Sequence, residues 1–280
     1  VGNSALYQNQ VGHSNVAIGD EAGKYVTSSL NVSIGFHAGR GKASAPYNSG
    51  EANISIGTYT NYDVSTGKMN VSVGDRAGYE MDTGMHNTLL GNNAGYNVKD
   101  AVGTTIIGGY AGRYATGSAN TFIGYAAGDG GTTSAPYSSG ENNTALGYQA
   151  LTAFTTGGSN TAIGYQALDA NTIGADNVAI GYGALTTEDV GDRAIAIGSH
   201  ALALQNSDSN NEVSANIGVG YASGYYNVTG IYNTYIGYYA GAGASGQSNS
   251  NNTAVGYKSL YAVTTGTQNT IIGSYAGDAI

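Results

Sequence analysis

The sequence has no cysteine and no tryptophan, and only two of its 280 residues are proline. Without cysteine there is no disulfide framework and no thiolate nucleophile or ligand. Charged residues are 10% of the chain, well under the roughly 25% of a typical soluble domain. Nine Lys and Arg stand against eighteen Asp and Glu, a formal net charge of −9. That balance argues against nucleic acid as a partner, because its phosphates would be repelled, and against docking on anionic lipid. No run approaches the ~18 apolar residues of a membrane-crossing helix, so membrane insertion is not expected. No signal-peptide pattern is visible, and the first residue is Val1 rather than Met. The expectation is a processed product or an excerpt of something longer.

What the chain does have is glycine and tyrosine, 46 and 24 residues, with 41% hydrophobic content. That is too apolar for a disordered polar tract, and the glycine has no collagen-like three-residue period. It recurs instead inside a longer motif: Asn, β-branched, variable, aliphatic, Gly, then two variable residues, a small one, and Gly or Leu. Asn160-Thr161-Ala162-Ile163-Gly164-Tyr165-Gln166-Ala167-Leu168 and Asn120-Thr121-Phe122-Ile123-Gly124-Tyr125-Ala126-Ala127-Gly128 are clear copies.

Sixteen anchor glycines run from Gly2 to Gly273, most of them 17 residues apart, and the longer gaps are the same unit with extra loop residues. The residue before the anchor is Ile, Val or Leu in every copy, and the residue three before is Val, Ile or Thr. The position between them varies from Ala17 to Phe122 to Tyr235. This is strand periodicity, and it predicts that the uniform β-branched residues face inward while the variable one faces out. Four before the anchor, thirteen of fifteen residues are Asn, the exceptions being Thr104 and Ala194. Asn recurring at one coil position can stack as a hydrogen-bonded ladder. The anchor Gly is expected at a bend needing positive φ or close backbone approach. The Ala or Ser three residues after it implies a tight interior.

One unit holds about two short strands and cannot bury its own face, whereas stacked units can. The expected fold is all-β, a parallel β-solenoid or β-roll of about sixteen 17-residue coils forming one continuous array over 1–280. With strands ~4.8 Å apart it makes a rod of roughly 75 Å. A helix is excluded by the inward β-branched residues, the recurrent Gly and the apolar spacing of two. A thin roll is marginal alone, which favours a homo-oligomer with three chains about a long axis as the first choice.

Lines such as "NTAIGYQAL" and "NTFIGYAAG" resemble the head repeats of trimeric autotransporter adhesins, and look even more like repeats of phage tail fibres and related surface fibres. The resemblance spans essentially the whole chain. It implies a left-handed parallel β-roll wound into a trimer. The 17-residue period is longer than the commonest adhesin head repeat. No membrane-anchor, stalk or chaperone pattern is present in these 280 residues, so the assembly machinery is not carried over.

Four connections are longer than the rest: Arg40 to Ala52, Asp129 to Asn142, Ala203 to Ala215 and Gly243 to Asn251. All occupy the same place in the repeat and should protrude along one edge. The first two carry nearly identical endings, "APYNSGEAN" and "APYSSGENN". Pro46, Tyr47 and Glu51 in one, and Pro136, Tyr137 and Glu141 in the other, are therefore the candidate contact residues for a receptor, a cell-surface glycan or a neighbouring fibre. A row of Tyr follows the anchor Gly, and such rings stack on one another more readily than on a ligand.

His13, His37, His86 and His200 are scattered. No calcium repeat, paired-carboxylate or nucleophile–base constellation recurs. No metal, cofactor or catalytic residue is expected, and the chain is not expected to be an enzyme. The Asn-x-Ser/Thr triplets follow from the repeat and do not imply glycosylation. The functional expectation is a structural and adhesive fibre segment, extracellular, on a virion or cell surface, mediating attachment. The alternatives are a self-assembling filament subunit stacking through uncapped ends, and a monomeric glycan- or ice-binding solenoid. The last would need a regular outward Thr array, and the Thr three before the anchor is expected to point inward.

Overall fold

A computed structural model of the chain describes residues 1–44, 48–209, 212–246 and 248–278. These fall into two compact units, Val1–Asn142 and Asn143–Ile280. The first holds β1 (Val16–Ile18), β2 (Val32–Ile34), β3 (Ile54–Ile56), β4 (Val71–Val73), β5 (Thr88–Leu90), β6 (Thr105–Ile107) and β7 (Thr121–Ile123). The second holds β8 (Thr144–Leu146), β9 (Thr161–Ile163), β10 (Val178–Ile180), β11 (Ile195–Ile197), β12 (Ile217–Val219), β13 (Thr234–Ile236), β14 (Thr253–Val255) and β15 (Thr270–Ile272). Within each unit every strand pairs in parallel with the next, and the repeat positions stay in register even across the long connections, as in Val32↔Ile54 and Ile195↔Ile217. The fold is a parallel β-solenoid with no helix among the described residues. Each coil carries one three-residue strand rather than two. Elsewhere among the described residues there are only isolated bridges, such as Met85↔Val102.

The facing of the strand is the reverse of the sequence expectation. The variable central residue points inward: Ser72, Leu89, Ile106, Phe122, Ala162 and Tyr235 are all fully buried. The β-branched flanks point outward, with Val16 and Ile18 nearly half exposed, and Ile163 lies on this outer side as well. Thr at the third position before the anchor is likewise outward, which removes the stated objection to a Thr array. The physical reason lies in how the interior is filled. Outer-face positions lie on a regular pleated surface that suits β-branched side chains and keeps them uniform. The inner position shares its space with a residue on the following turn, so its size varies with that partner.

The partner is the fourth residue after the anchor, which has positive φ in every described coil, from Leu6 to Gly277. Where the strand contributes a large side chain, this residue is Gly. A Cβ on Gly128 would press on the Phe122 ring at 2.5 Å, and one on Gly112 would meet Ile106 Cδ1 at 2.6 Å. Where the strand contributes Ala145, Ala162, Ala179, Ala196 or Ala254, the turn contributes Leu151, Leu168, Leu185, Leu202 or Leu260, each fully buried. A leucine in the left-handed region costs about 1–2 kcal/mol. Burying it contributes about 1.5–3 kcal/mol, so the exchange holds.

The anchor glycines do what their position implied. They sit at φ between 130° and 153°, and a Cβ on Gly91 or Gly164 would lie within 2.6 Å of the next anchor's carbonyl oxygen. The asparagine ladder also forms. The Oδ1 of Asn143 accepts from the Asn160 amide at 2.9 Å, and Asn160 Oδ1 from the Asn177 amide at 3.0 Å. Along the ladder, until Asn269, whose Nδ2 turns back to Asn252, the Nδ2 donates to a carbonyl of the next coil, as Asn160 does to Gly174 at 2.8 Å and Asn177 to Gly191 at 2.8 Å. That accepting residue is a second recurrent glycine, seven before the anchor, and it went unread in the sequence. The rungs satisfy buried backbone groups that water cannot reach.

Candidate contact surface

The outer sheet face carries two aliphatic or Thr residues per coil, continued in most coils of the second unit by a Tyr one place after the anchor. Tyr148, Tyr165 and Tyr182 are 43–53% exposed and stack at 5.3 and 5.1 Å, nearly parallel. Tyr221, Tyr238 and Tyr257 form a second run at 5.2 and 5.4 Å. The expected self-stacking is therefore present in the second unit. The first unit builds its ladder elsewhere, five residues after the anchor, where Tyr62, Tyr79 and Tyr96 stack at 5.1 and 4.8 Å. Ring pairs at such spacing add about 0.5–1.5 kcal/mol each beyond area burial.

The long connections are pinned at their bases. Arg40, opening the first, lies over Tyr25 at 4.7 Å and Tyr62 at 5.0 Å, and its Nε donates to Glu21 at 2.8 Å. Lys24 reaches the same carboxylate at 2.6 Å. The Lys24 hydrogen bond, followed by that of Arg40, pulls the Glu21 carboxyl down to about 2. The second connection repeats the device. Arg113 lies over Tyr114 at 4.4 Å and Tyr110 at 4.9 Å and forks onto Asp129 at 2.8 and 3.1 Å. Burial pushes the Asp129 carboxyl up against the opposing pull of Arg113. The third connection is held from inside: buried Glu188 accepts from the Gly191 amide at 2.7 Å and from the Ser207 amide and hydroxyl at 3.2 and 3.1 Å. At the fourth, buried Tyr235 donates its hydroxyl to Asn249.

Of the predicted contact residues, Glu51, Pro136 and Glu141 are exposed. Tyr137 is half-buried, its ring stacked 6.1 Å from Tyr114. Pro46 and Tyr47 lie outside the described residues. The two loops are not neighbours in the coil order, since four connections of regular length, from Gly57 to Gly124, come between them. The arginine–tyrosine–acid clamps beneath the loops were missed in the sequence. Arg40 and Arg113 at the fifth place after their anchors, the first between Tyr25 and Tyr62 of adjacent coils and the second between Tyr110 and Tyr114 of its own, were the available signal.

Among the described residues no group of three or more His, Cys, Asp or Glu could hold a metal ion. No helix of the described residues is long and apolar enough to cross a membrane. No family model, no curated protein and no solved structure matches this chain.

Proposed function

We propose that the chain is a structural and adhesive segment of an extracellular fibre, on a virion or cell surface, without catalytic activity. The observation that carries this reading is the outer face of the solenoid. Val16, Ile18, Leu146, Ile197 and Ile236 are 38–48% exposed on it, and in the second unit the tyrosine row continues the same face. Soluble chains rarely leave so repetitive an apolar stripe uncovered, and such stripes are interaction sites. A second and third copy of the same chain, offering the same stripe at the same ~4.8 Å repeat, would cover it in a self-complementary way. The reading is therefore a homotrimer, with the exposed loop residues left to meet a receptor or glycan. An ice-binding face is less well supported, because Val178, Ile195 and Ile217 interrupt the outward Thr row of the second unit.

Sedimentation of the purified chain at micromolar concentration tests the association, with a trimer expected. Negative-stain images of the same material should show short rods of uniform length. A stable lone monomer overturns the trimer, and endless filaments favour end-to-end assembly instead.

A further inference from the structure

Two rows of side chains flank the turn that follows each strand, at the second and fifth places after the anchor Gly. In most coils a large residue fills at least one of them. Around residues 200–261 both rows have a gap. Ala222 occupies the second place between His200 and Tyr239, and Ala242 occupies the fifth between Tyr225 and Tyr261. Ala222 is 2% exposed and forms the floor of the resulting cleft of about 320 Å³, whose walls are His200, Tyr221, Tyr225, Tyr226, Tyr239 and Tyr261.

The rings are held rather than free. Tyr225 and Tyr226 meet edge-to-face at 4.7 Å, Tyr221 and Tyr239 at 5.3 Å, and Tyr239 and Tyr261 at 5.8 Å. The neighbouring Tyr221 phenol pushes the Tyr239 phenol up. Aromatic side chains held this way present ring faces and hydroxyl edges with little conformational entropy left to lose on binding.

We propose that this cleft binds a neutral pyranose of a glycan. The inference rests on the adhesive reading above and names its ligand class. Three observations select a neutral sugar. Among the described residues that line the cleft there is no carboxylate, Lys or Arg, although the chain carries eighteen acids; the charge that comes near is Lys258, on the Tyr261 wall. A pyranose has an apolar C–H face for a ring and a hydroxyl rim for phenols, the mixture this lining offers. A cationic head such as a quaternary ammonium would also suit tyrosine faces, but the Lys258 ammonium already lies 4.9 Å over Tyr261 and repels a second cation. The site differs from the loop tips, and it exists because two repeat positions are small.

The test uses the whole chain with methyl glycosides of glucose, galactose and N-acetylglucosamine, and with choline, read by saturation-transfer NMR. At least one glycoside should bind through its ring C–H protons. Tyr225→Ala with Tyr261→Ala should weaken that binding at least about ten-fold. Ala222→Tyr should abolish it while leaving the coil folded, since Tyr59, Tyr110 and Tyr239 already occupy that place at the same positive φ. The proposal is overturned if none of the sugars binds, if choline binds in their place, or if Ala222→Tyr binds as the parent does. Sedimentation of the same samples separates the two readings. An assembled chain that ignores sugars removes the cleft and leaves the fibre, and a change of association state in Ala222→Tyr makes the cleft an interchain contact.

Discussion

The coils of β5 to β7 and the coils of β8 to β11 have the same backbone and opposite interiors. The former send Leu89, Ile106 and Phe122 inward from the strand, over Gly95, Gly112 and Gly128 on the turn. The latter place Ala145, Ala162, Ala179 and Ala196 on the strand and Leu151, Leu168, Leu185 and Leu202 on the turn. The coil specifies a volume to be filled and leaves open which residue fills it. In these seven coils the filled volume is set by the pair and not by the position, whereas at Ala17–Gly23 and Ser72–Gly78 a side chain from a neighbouring coil, Leu6 or Leu89, fills the space.

The comparison can be broken most severely where both regions agree, at the anchor. Gly164→Val adds a Cβ that overlaps the Gly181 carbonyl at a φ of +132°. It should cost more than about 4 kcal/mol, because strain and overlap add. Thermal melts should show the second unit losing its cooperative transition, and an unchanged melt would sink the backbone argument. The exchange itself is next. Phe122→Ala should cost about 3–5 kcal/mol, and Gly128→Leu alone should be comparably harmful. Together they should recover a large part of the loss, with a coupling energy of about 1–3 kcal/mol in a double-mutant cycle. Additive losses would show that the two positions are independent.

A smaller effect probes the ladder shared by both interiors. Asn160→Ala removes an acceptor for the Asn177 amide and a donor to the Gly174 carbonyl, and should cost about 1–3 kcal/mol in urea unfolding. The coils that begin at Thr104 and Ala194 show that a missing rung is tolerated, so the chain should still fold. The smallest effect lies at the surface. Glu21 has its pKa lowered from 4.5 to about 2, so its ion pairs stabilise the fold fully above pH 4.5. That stabilisation is lost as the pH falls through about 2. Solvent screening holds it under about 1 kcal/mol. Glu21→Gln should lower stability at neutral pH, flatten this part of the acid limb between pH 4.5 and about 2, and leave stability below about pH 2 almost unchanged.

The period, the strand, the anchor Gly, the ladder and the position of every long connection were legible in the sequence, because each leaves the same residue at the same place in many coils. The facing of the strand was not, and the reason is visible at Phe122 and Ala162. An inner position that trades volume with Gly128 or Leu168 looks unconstrained when read alone. An outer position that merely fits a pleat looks like a core. The pair correlation was present in the sequence as Phe with Gly and Ala with Leu, six places apart. The loop residues were located by their near-identical endings, but the arginine clamps under them join residues from different coils. The tyrosine-walled cleft was hidden because two absences make it, at Ala222 and Ala242.

The coil of β12 has consequences for how such a chain can change its length. Gly218 and Gly224 give it no side chain at either interior place, and its space is occupied by Leu202 from the coil before and Tyr235 from the coil after. It cannot be copied or lost by itself, because its neighbours would then have an empty chamber or no room. Between Ala145 and Ala196 each coil supplies its own filling and the spacing is uniformly 17 residues. Duplication or deletion of a single 17-residue segment there leaves every remaining coil complete. Heritable variation in length is therefore open to one stretch of the chain and closed to another a few coils away.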